Sequence, residues 1–209
     1  MVYVPSRRFS YSVSDFNGQQ QRGDRDVTRK ALLGAAGRIV QRDGVTRLTI
    51  DAVAAESGVS KGGVLYHFRT KDALIAAFVD GVAEAFEADF ARMTVEEQGS
   101  GSLAALRGYV RASTMPDPVP HLTAGLIAAL AWRPELGQLV RNRFTGWHAR
   151  AREGVPDQVL ARTICLAADG VWLSACFGYG LHDEGDREAI STRLLRLADQ
   201  AGQPLTQED

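Results

Sequence analysis

The chain of 209 residues reads as an all-α protein, with three short helices towards the N-terminus followed by a larger helical bundle. Three observations predict this. Apolar residues recur at the spacing of an amphipathic helix along most of the chain, capping residues and glycines punctuate those runs, and no stretch shows the alternation of a half-buried strand. With 45% apolar and 23% charged residues the composition is that of an ordinary globular chain. No internal repeat of the solenoid kind is visible.

Residues 1–25 are expected to form a flexible polar extension. Pro5, charges and glutamines interrupt it, so it lacks the apolar run of a signal peptide. Asp26 is placed to cap a first helix in which Leu32, Ala35, Ala36, Ile39 and Val40 follow the helical period until Asp43-Gly44 stops it. Thr49 then opens a short helix, "IDAVAAES", with Ile50, Val53 and Ala54 on one face and Gly58 as its left-handed end. Ser60 caps a third helix that ends near Phe68. Thr70 starts a long fourth, carrying Leu74, Phe78, Val82, Phe86 and Phe90 at core spacing. After a Gly/Ser loop at 97–101, helices are expected over 102–114, 121–132, 134–153, 156–180 and 186–201, separated by proline-bearing and glycine-bearing loops. The implied domains are an extension (1–25), a three-helix domain (26–70), a connecting helix (71–97) and a bundle (98–209).

Charge divides along the chain although its sum is only −1. Residues 1–70 carry 11 Lys and Arg against 6 Asp and Glu, and the remainder carries 13 against 19. A basic end on an acidic body suits nucleic-acid binding. Cys165 and Cys176 lie eleven apart in a helix-like run, about 16 Å along the axis at about 1.5 Å per residue, so they cannot bridge within one chain and a reducing cytoplasm is the expected setting. The longest apolar run, 159–181, contains Arg162 and Asp169 and is expected to be a buried helix, leaving no membrane segment.

The stretch "GVSKGGVLYHF", 58–68, fits two incompatible readings. Its opening matches the G-x-S-x-G elbow of a serine hydrolase, which would make Ser60 a nucleophile. That elbow needs a strand leading into the serine, and here a helix precedes it. His67 is only seven residues on, and His121, His148 and His182 lie in other helical segments. The same letters read as the tight turn of a helix-turn-helix, with Gly58 at positive φ, Val59 wedged between two helices, Ser60 as cap, and Val64 and Phe68 packed inward. Adjacent Gly62 and Gly63 near a helix start cost about 1 kcal/mol each against alanine. Either close backbone approach to DNA or a plain loop would account for them. No Walker loop, H-E-x-x-H or C-x-x-C is present, so no enzyme, cofactor or metal is expected.

The run from Leu48 to Leu74, "LTIDAVAAESGVSKGGVLYHFRTKDAL", closely resembles the DNA-binding domain of the TetR family of one-component bacterial regulators, over about residues 26–80. In the remaining chain the resemblance rests on helix count and on Ala168-Asp-Gly-Val-Trp172. It implies a homodimer whose paired third helices enter successive major grooves of a palindromic operator, with a helical C-terminal domain that binds an inducer. By that resemblance Lys61, Gly63 and Tyr66 would face the bases or groove, and Thr49, Ser60, His67 and Lys71 would meet phosphates. Arg25, Gly62 and Leu65 complete the candidate DNA-binding set. The commonest family pattern ends this helix in Tyr-x-His-Phe, whereas here Leu65 takes the tyrosine's place and Tyr66 follows.

In the C-terminal half Met115, His121, Trp132, Phe144, Trp147, His148, Asp169 and Trp172 are candidates for an effector pocket, with an ordinary core as the competing reading. Asp169, a charge in an apolar run, is either a pocket anchor or half of a pair with Arg162, the pair being preferred. Gly170, Ser174 and Gly178 form a small-residue stripe that, with Leu194, Leu195 and Leu197, suggests a four-helix dimer interface. The expected function is a repressor released by a small, largely apolar effector. A hydrolase at Ser60, or a regulator sensing a protein partner, are the alternatives.

Overall fold

The computed structural model describes residues 22–115, 134–177, 179–180 and 183–203. Among the described residues it contains eight α-helices and no strand. These are α1 (Arg22–Asp43), α2 (Ile50–Ser57), α3 (Lys61–His67), α4 (Lys71–Glu96), α5 (Ala104–Thr114), α6 (Pro134–Ala151), α7 (Gln158–Phe177) and α8 (Glu184–Ala201). Short 3₁₀ turns, Val45–Arg47 and Gln98–Leu103, lead into α2 and α5. The chain divides into two compact units, Met1–Phe78 and Val79–Asp209, and α4 passes from one into the other. The helix expected over 121–132 lies outside the described residues, as do residues 1–21 of the expected extension.

In the first unit α1 starts at Arg22, four residues before the expected cap at Asp26. Asp26 is acceptable inside the first turns because a carboxylate there meets the positive end of the helix dipole. Leu32, Ala35, Ala36, Ile39 and Val40 are all buried, as their spacing predicts. Gly44 ends the helix at φ 81°, donating its N–H to the Val40 carbonyl at 3.0 Å. Thr49 caps α2 by accepting the Ala52 N–H at 3.0 Å, and Gly58 closes it at φ 73°. Between α1 and α2 the Glu56 carboxylate receives Arg38 at 2.8 Å and Arg42 at 3.1 Å. Those bonds, Arg38's first, hold its pKa below the ordinary carboxylate value.

In the second unit a single core joins Phe90 of α4, Leu106, Tyr109 and Val110 of α5, Trp147 of α6, Ile164 and Cys165 of α7, and Leu194 and Ala198 of α8. Gly108 permits α5 to approach α4, because a Cβ there would stand 2.7 Å from the Thr94 backbone nitrogen. Helix α5 begins at Ala104, since residues 98–103 wind as a 3₁₀ turn around Gly101 at φ 58°. Asp157 and Asp183 set the starts of α7 and α8, accepting the N–H groups of Leu160 (2.8 Å) and Asp186 (2.9 Å). The two helices therefore begin two residues later and two earlier than expected. Helix α6 likewise ends at Ala151, two residues short of its expected end.

The half-buried Glu97 ties this turn to the bundle. It accepts Arg107 Nε at 2.6 Å and a second bond from Arg111, while Arg107 also reaches Asp199 of α8 at 2.6 Å. Burial alone pushes the Glu97 carboxyl up, but the two arginines outweigh it and the net shift is downward. None of the described helices is long and apolar enough to cross a membrane.

Two outcomes test this packing. Gly108→Ala gains about 1 kcal/mol of helix propensity and loses about 1–3 kcal/mol to overpacking against rigid backbone, so its Tm should fall by several degrees in a thermal melt. For Glu97 the folded pKa lies below the unfolded one. Its contribution is thus present above the unfolded pKa and lost as pH falls through the folded pKa. Glu97→Gln should be less stable than the parent at neutral pH, and the gap should close in acid melts.

Candidate functional site

Two sites emerge, one in each unit. The first is the outward face of α3. The Ser60 hydroxyl oxygen accepts the Gly63 N–H at 3.1 Å, and Phe68 donates its N–H to the Val64 carbonyl at 2.8 Å, so both ends of this seven-residue helix are tied. Val64 and Phe68 are buried at 0% and 2% exposure and turn the opposite face outward. Lys61, Gly62, Leu65 and Tyr66 are exposed there, Tyr66 at 60%, while Gly63 and His67 are half-buried. Thr49 and Ser60 are exposed and spend only an oxygen lone pair on capping, so each hydroxyl can still donate to a phosphate. Lys71 is half-buried in the first turn of α4.

Aromatic and charged contacts order this face. The Arg25 guanidinium lies 5.0 Å from the centre of the Tyr66 ring, and His67 meets that ring edge-on at 5.3 Å. Lys61 is paired with Asp51 at 2.8 Å across the turn. Both side chains are exposed, so the pair is worth little energetically and yields to a phosphate or base. Sequence reasoning missed Asp51 as a partner.

The two adjacent glycines have different reasons. A Cβ on Gly63 would fall 2.7 Å from Val59 Cγ1, so a side chain there requires Val59 to shift. Nothing lies within 4 Å of a Cβ on Gly62, which leaves its outward side open. The elbow geometry of a hydrolase is not formed, because α2 precedes Gly58 and the Ser60 oxygen is engaged as a helix cap.

The second site is a cavity of about 100 Å³ in the second unit. Phe86, Tyr109, Phe144, Trp147 and Trp172 wall it with Val79, Val82, Ala83 and Val140, and its polar lining is Ser113, Arg143 and Asp169. The rings interlock: Phe86 stands 4.5 Å from Trp147 and 5.7 Å from Tyr109, and Phe144 stands 5.2 Å from Trp147 and 6.0 Å from Trp172. Trp147 sends its indole N–H to Glu87 at 2.7 Å, and Arg143 pairs with Asp80 at 3.2 Å.

Asp169 does not pair with Arg162, which lies on the exposed face of α7. Its carboxylate instead accepts the Tyr109 hydroxyl at 2.5 Å and His148 Nε2 at 2.9 Å, and those two donors are 3.2 Å apart. Arg162 and Asp169 are two turns apart, about 10.5 Å along the helix axis, whereas tertiary packing brings donors from α5 and α6 directly onto the carboxylate. Burial first, and the Asp169 charge second, raise the Tyr109 pKa, so its phenol stays protonated and donates. Burial, followed by the same charge, pushes the Cys165 thiol up to about 12.

Of the expected pocket residues, Phe144, Trp147, Asp169 and Trp172 line the cavity and His148 stands behind Asp169. Met115 does not line it; its sulfur lies 3.8 Å from Arg92 at the end of α5. His121 and Trp132 fall outside the described residues. Tyr109, Ser113, Val140 and Arg143 were missed, and Tyr109 could have been found as the one hydroxyl-bearing ring at a core position of α5.

The expected dimer residues divide. Leu194 is buried in the unit's own core at 5% exposure and cannot face a partner, because α8 turns that position onto α5 and α7. Leu195 and Leu197 are partly buried against the same core. Gly170 and Ser174 are half-buried, with Ser174 Oγ bonded back to the Gly170 carbonyl at 2.7 Å, and Gly178 lies outside the described residues. On α7 and α8 the large apolar residues left exposed are Val159 (78%), Leu166 (59%) and Ile190, among the described residues. The i, i+7 spacing of the first two on one helical face was the available signal.

A helix-turn-helix unit followed by an all-helical unit is the organisation of a DNA-binding transcriptional regulator. Family models agree: residues 32–78 match the bacterial regulatory proteins of the tetR family, and residues 103–199 match the tetracyclin repressor-like C-terminal domain. The chain belongs to the TetR family. The HTH-type transcriptional regulator TtgR of Pseudomonas putida is 31% identical over 80 residues, a match spanning 38% of this chain and 38% of the relative. The multidrug binding protein EbrR, solved in complex with malachite green, is 26% identical with TM-score 0.65, covering 81% of this chain and 96% of that one. A TetR transcription regulator from Haloarcula marismortui has the same fold at TM-score 0.68 and 21% identity, over 84% of this chain and 98% of its own.

The glycine pair gives a direct test of the turn. Gly62→Ala should melt at or above the parent temperature, with a gain of up to about 1 kcal/mol, whereas Gly63→Ala should melt lower because Val59 must move. The reverse order would remove the packing account of Gly63.

Proposed function

We propose that this chain is a dimeric transcriptional repressor that holds α3 in the major groove of a palindromic operator and leaves it when a small, largely apolar effector enters the cavity of the second unit. One observation carries the proposal: α3 is capped at both ends, buried through Val64 and Phe68, and exposes Lys61, Gly62, Leu65 and Tyr66 on one outward face. A short, rigid helix with a cation, a bare backbone and a ring outward suits groove contact. Arg25, Thr49, Ser60, His67 and Lys71 surround it as phosphate ligands.

The matched regulator TtgR supports the class, and the malachite green complex of the multidrug binding protein EbrR supports a small-molecule sensor. The aromatic-walled cavity favours such a ligand over a protein partner. A dimer would cover Val159, Leu166 and Ile190, with Gly170 and Ser174 allowing α7 a close approach. A repressor of this kind works in the cytoplasm.

Fluorescence anisotropy with a DNA fragment selected from the source genome tests the reading. Log affinity should fall with log salt at about −0.9 per neutralised phosphate, summing to a slope of several units. Tyr66→Ala should lose about tenfold or more in operator affinity with its Tm almost unchanged. A flat salt dependence, or a Tyr66→Ala protein that binds DNA normally and melts several degrees lower, would contradict it.

A further inference from the structure

The cavity sets an anionic group among aromatic faces, and that combination selects a ligand by charge. Asp169 is 16% exposed at its side chain and reaches the cavity lining. Each of its oxygens accepts one hydrogen bond, from Tyr109 and from His148, whereas an ionised carboxylate offers roughly four acceptor sites. Both bonds come from ring-borne donors, and no arginine or lysine is bonded to it among the described residues. Arg162 of the same helix is turned outward, and Arg143 across the cavity is taken up by Asp80 at 3.2 Å. A carboxylate withdrawn from water is costly unless a cation meets it.

The walls point the same way. Aromatic rings carry negative electrostatic potential on their faces and attract a cation within about 6 Å of the ring centre. Trp147 spends its one polar edge on Glu87, so what it offers the cavity is ring carbon. We infer that the effector is a hydrophobic organic cation, with a quaternary or protonated nitrogen held between Asp169 and the rings of Phe144 and Trp172. The inference rests on the proposal that this cavity is the effector site, and it assigns that effector's chemical class.

The test uses the 209-residue chain at pH 8 with three probes of one shape. Phenyltrimethylammonium is a cation, tert-butylbenzene is its neutral isostere, and benzenesulfonate is an anion. Calorimetry should find the ammonium bound at least about tenfold more tightly than tert-butylbenzene. Asp169→Asn should erase that preference while keeping tert-butylbenzene affinity within about threefold, which shows the cavity still folded. Equal binding of cation and isostere by the parent protein would overturn the inference. So would tightest binding of benzenesulfonate, which would assign the site to Arg143, or a cation preference that survives Asp169→Asn. Operator release is read separately on the same probes. A cation preference without release upholds the ligand class and overturns the effector role, whereas release by the neutral or anionic probe alone upholds the effector role and overturns the class.

Discussion

Helix α3 is seven residues long, too short to persist in water on its own hydrogen bonds. All that it presents depends on its seat. Val64 and Phe68 supply the apolar part, buried in a core with Leu32, Ile39, Leu48 and Val53. The polar part is the turn, where Gly58 reverses the chain in the left-handed region and Ser60 satisfies the Gly63 N–H. Val59 fills the corner so closely that it would have to shift for residue 63 to carry a side chain. Sequence, cap and packing thus fix the azimuth of α3, and the azimuth decides that Lys61 and Tyr66 face outward. Arg25 above the Tyr66 ring and Asp51 beside Lys61 then limit where those two side chains rest before any partner arrives.

In the second unit the comparable constraint is Asp169. Its charge sits in a helix that is apolar over most of its length, and the fold answers with Tyr109 and His148 rather than with an arginine. Asp169 and Tyr109 line the cavity with His148 behind them, and burial followed by the Asp169 charge raises the Cys165 thiol, so one carboxylate bears on local packing, protonation and cavity chemistry together. Around it the interlocked rings of Phe86, Phe144, Trp147 and Trp172 set the cavity's apolar character.

Much of the first unit was legible in the sequence because its determinants are local. A threonine before an apolar run, a glycine after one and a serine three residues before an N–H are contacts within one turn, and each was found where it was expected. The start of α1 was not, since acidic residues serve equally as a cap and as members of a first turn. In the second unit the failures are tertiary. The Asp169–Arg162 expectation weighed only residues on one helix, whereas the partners come from α5 and α6, 60 and 21 positions away. Leu194 and Leu195 are indistinguishable as letters, and only the packing of α8 on α5 and α7 turns one into the core. Met115 misled because a polarizable side chain at a helix end fits a pocket and a surface arginine equally well.

On the function proposed above, the outward face of α3 enters a DNA groove as one half of a two-fold pair. Hydroxyl-radical footprinting of the chain on a DNA fragment selected from its source genome measures this most directly. Two protected half-sites related by a dyad are expected, on one face of the duplex and separated by about 34–36 Å or a multiple of it. Protection without that period or symmetry, or none at a concentration that shifts the fragment, would contradict it.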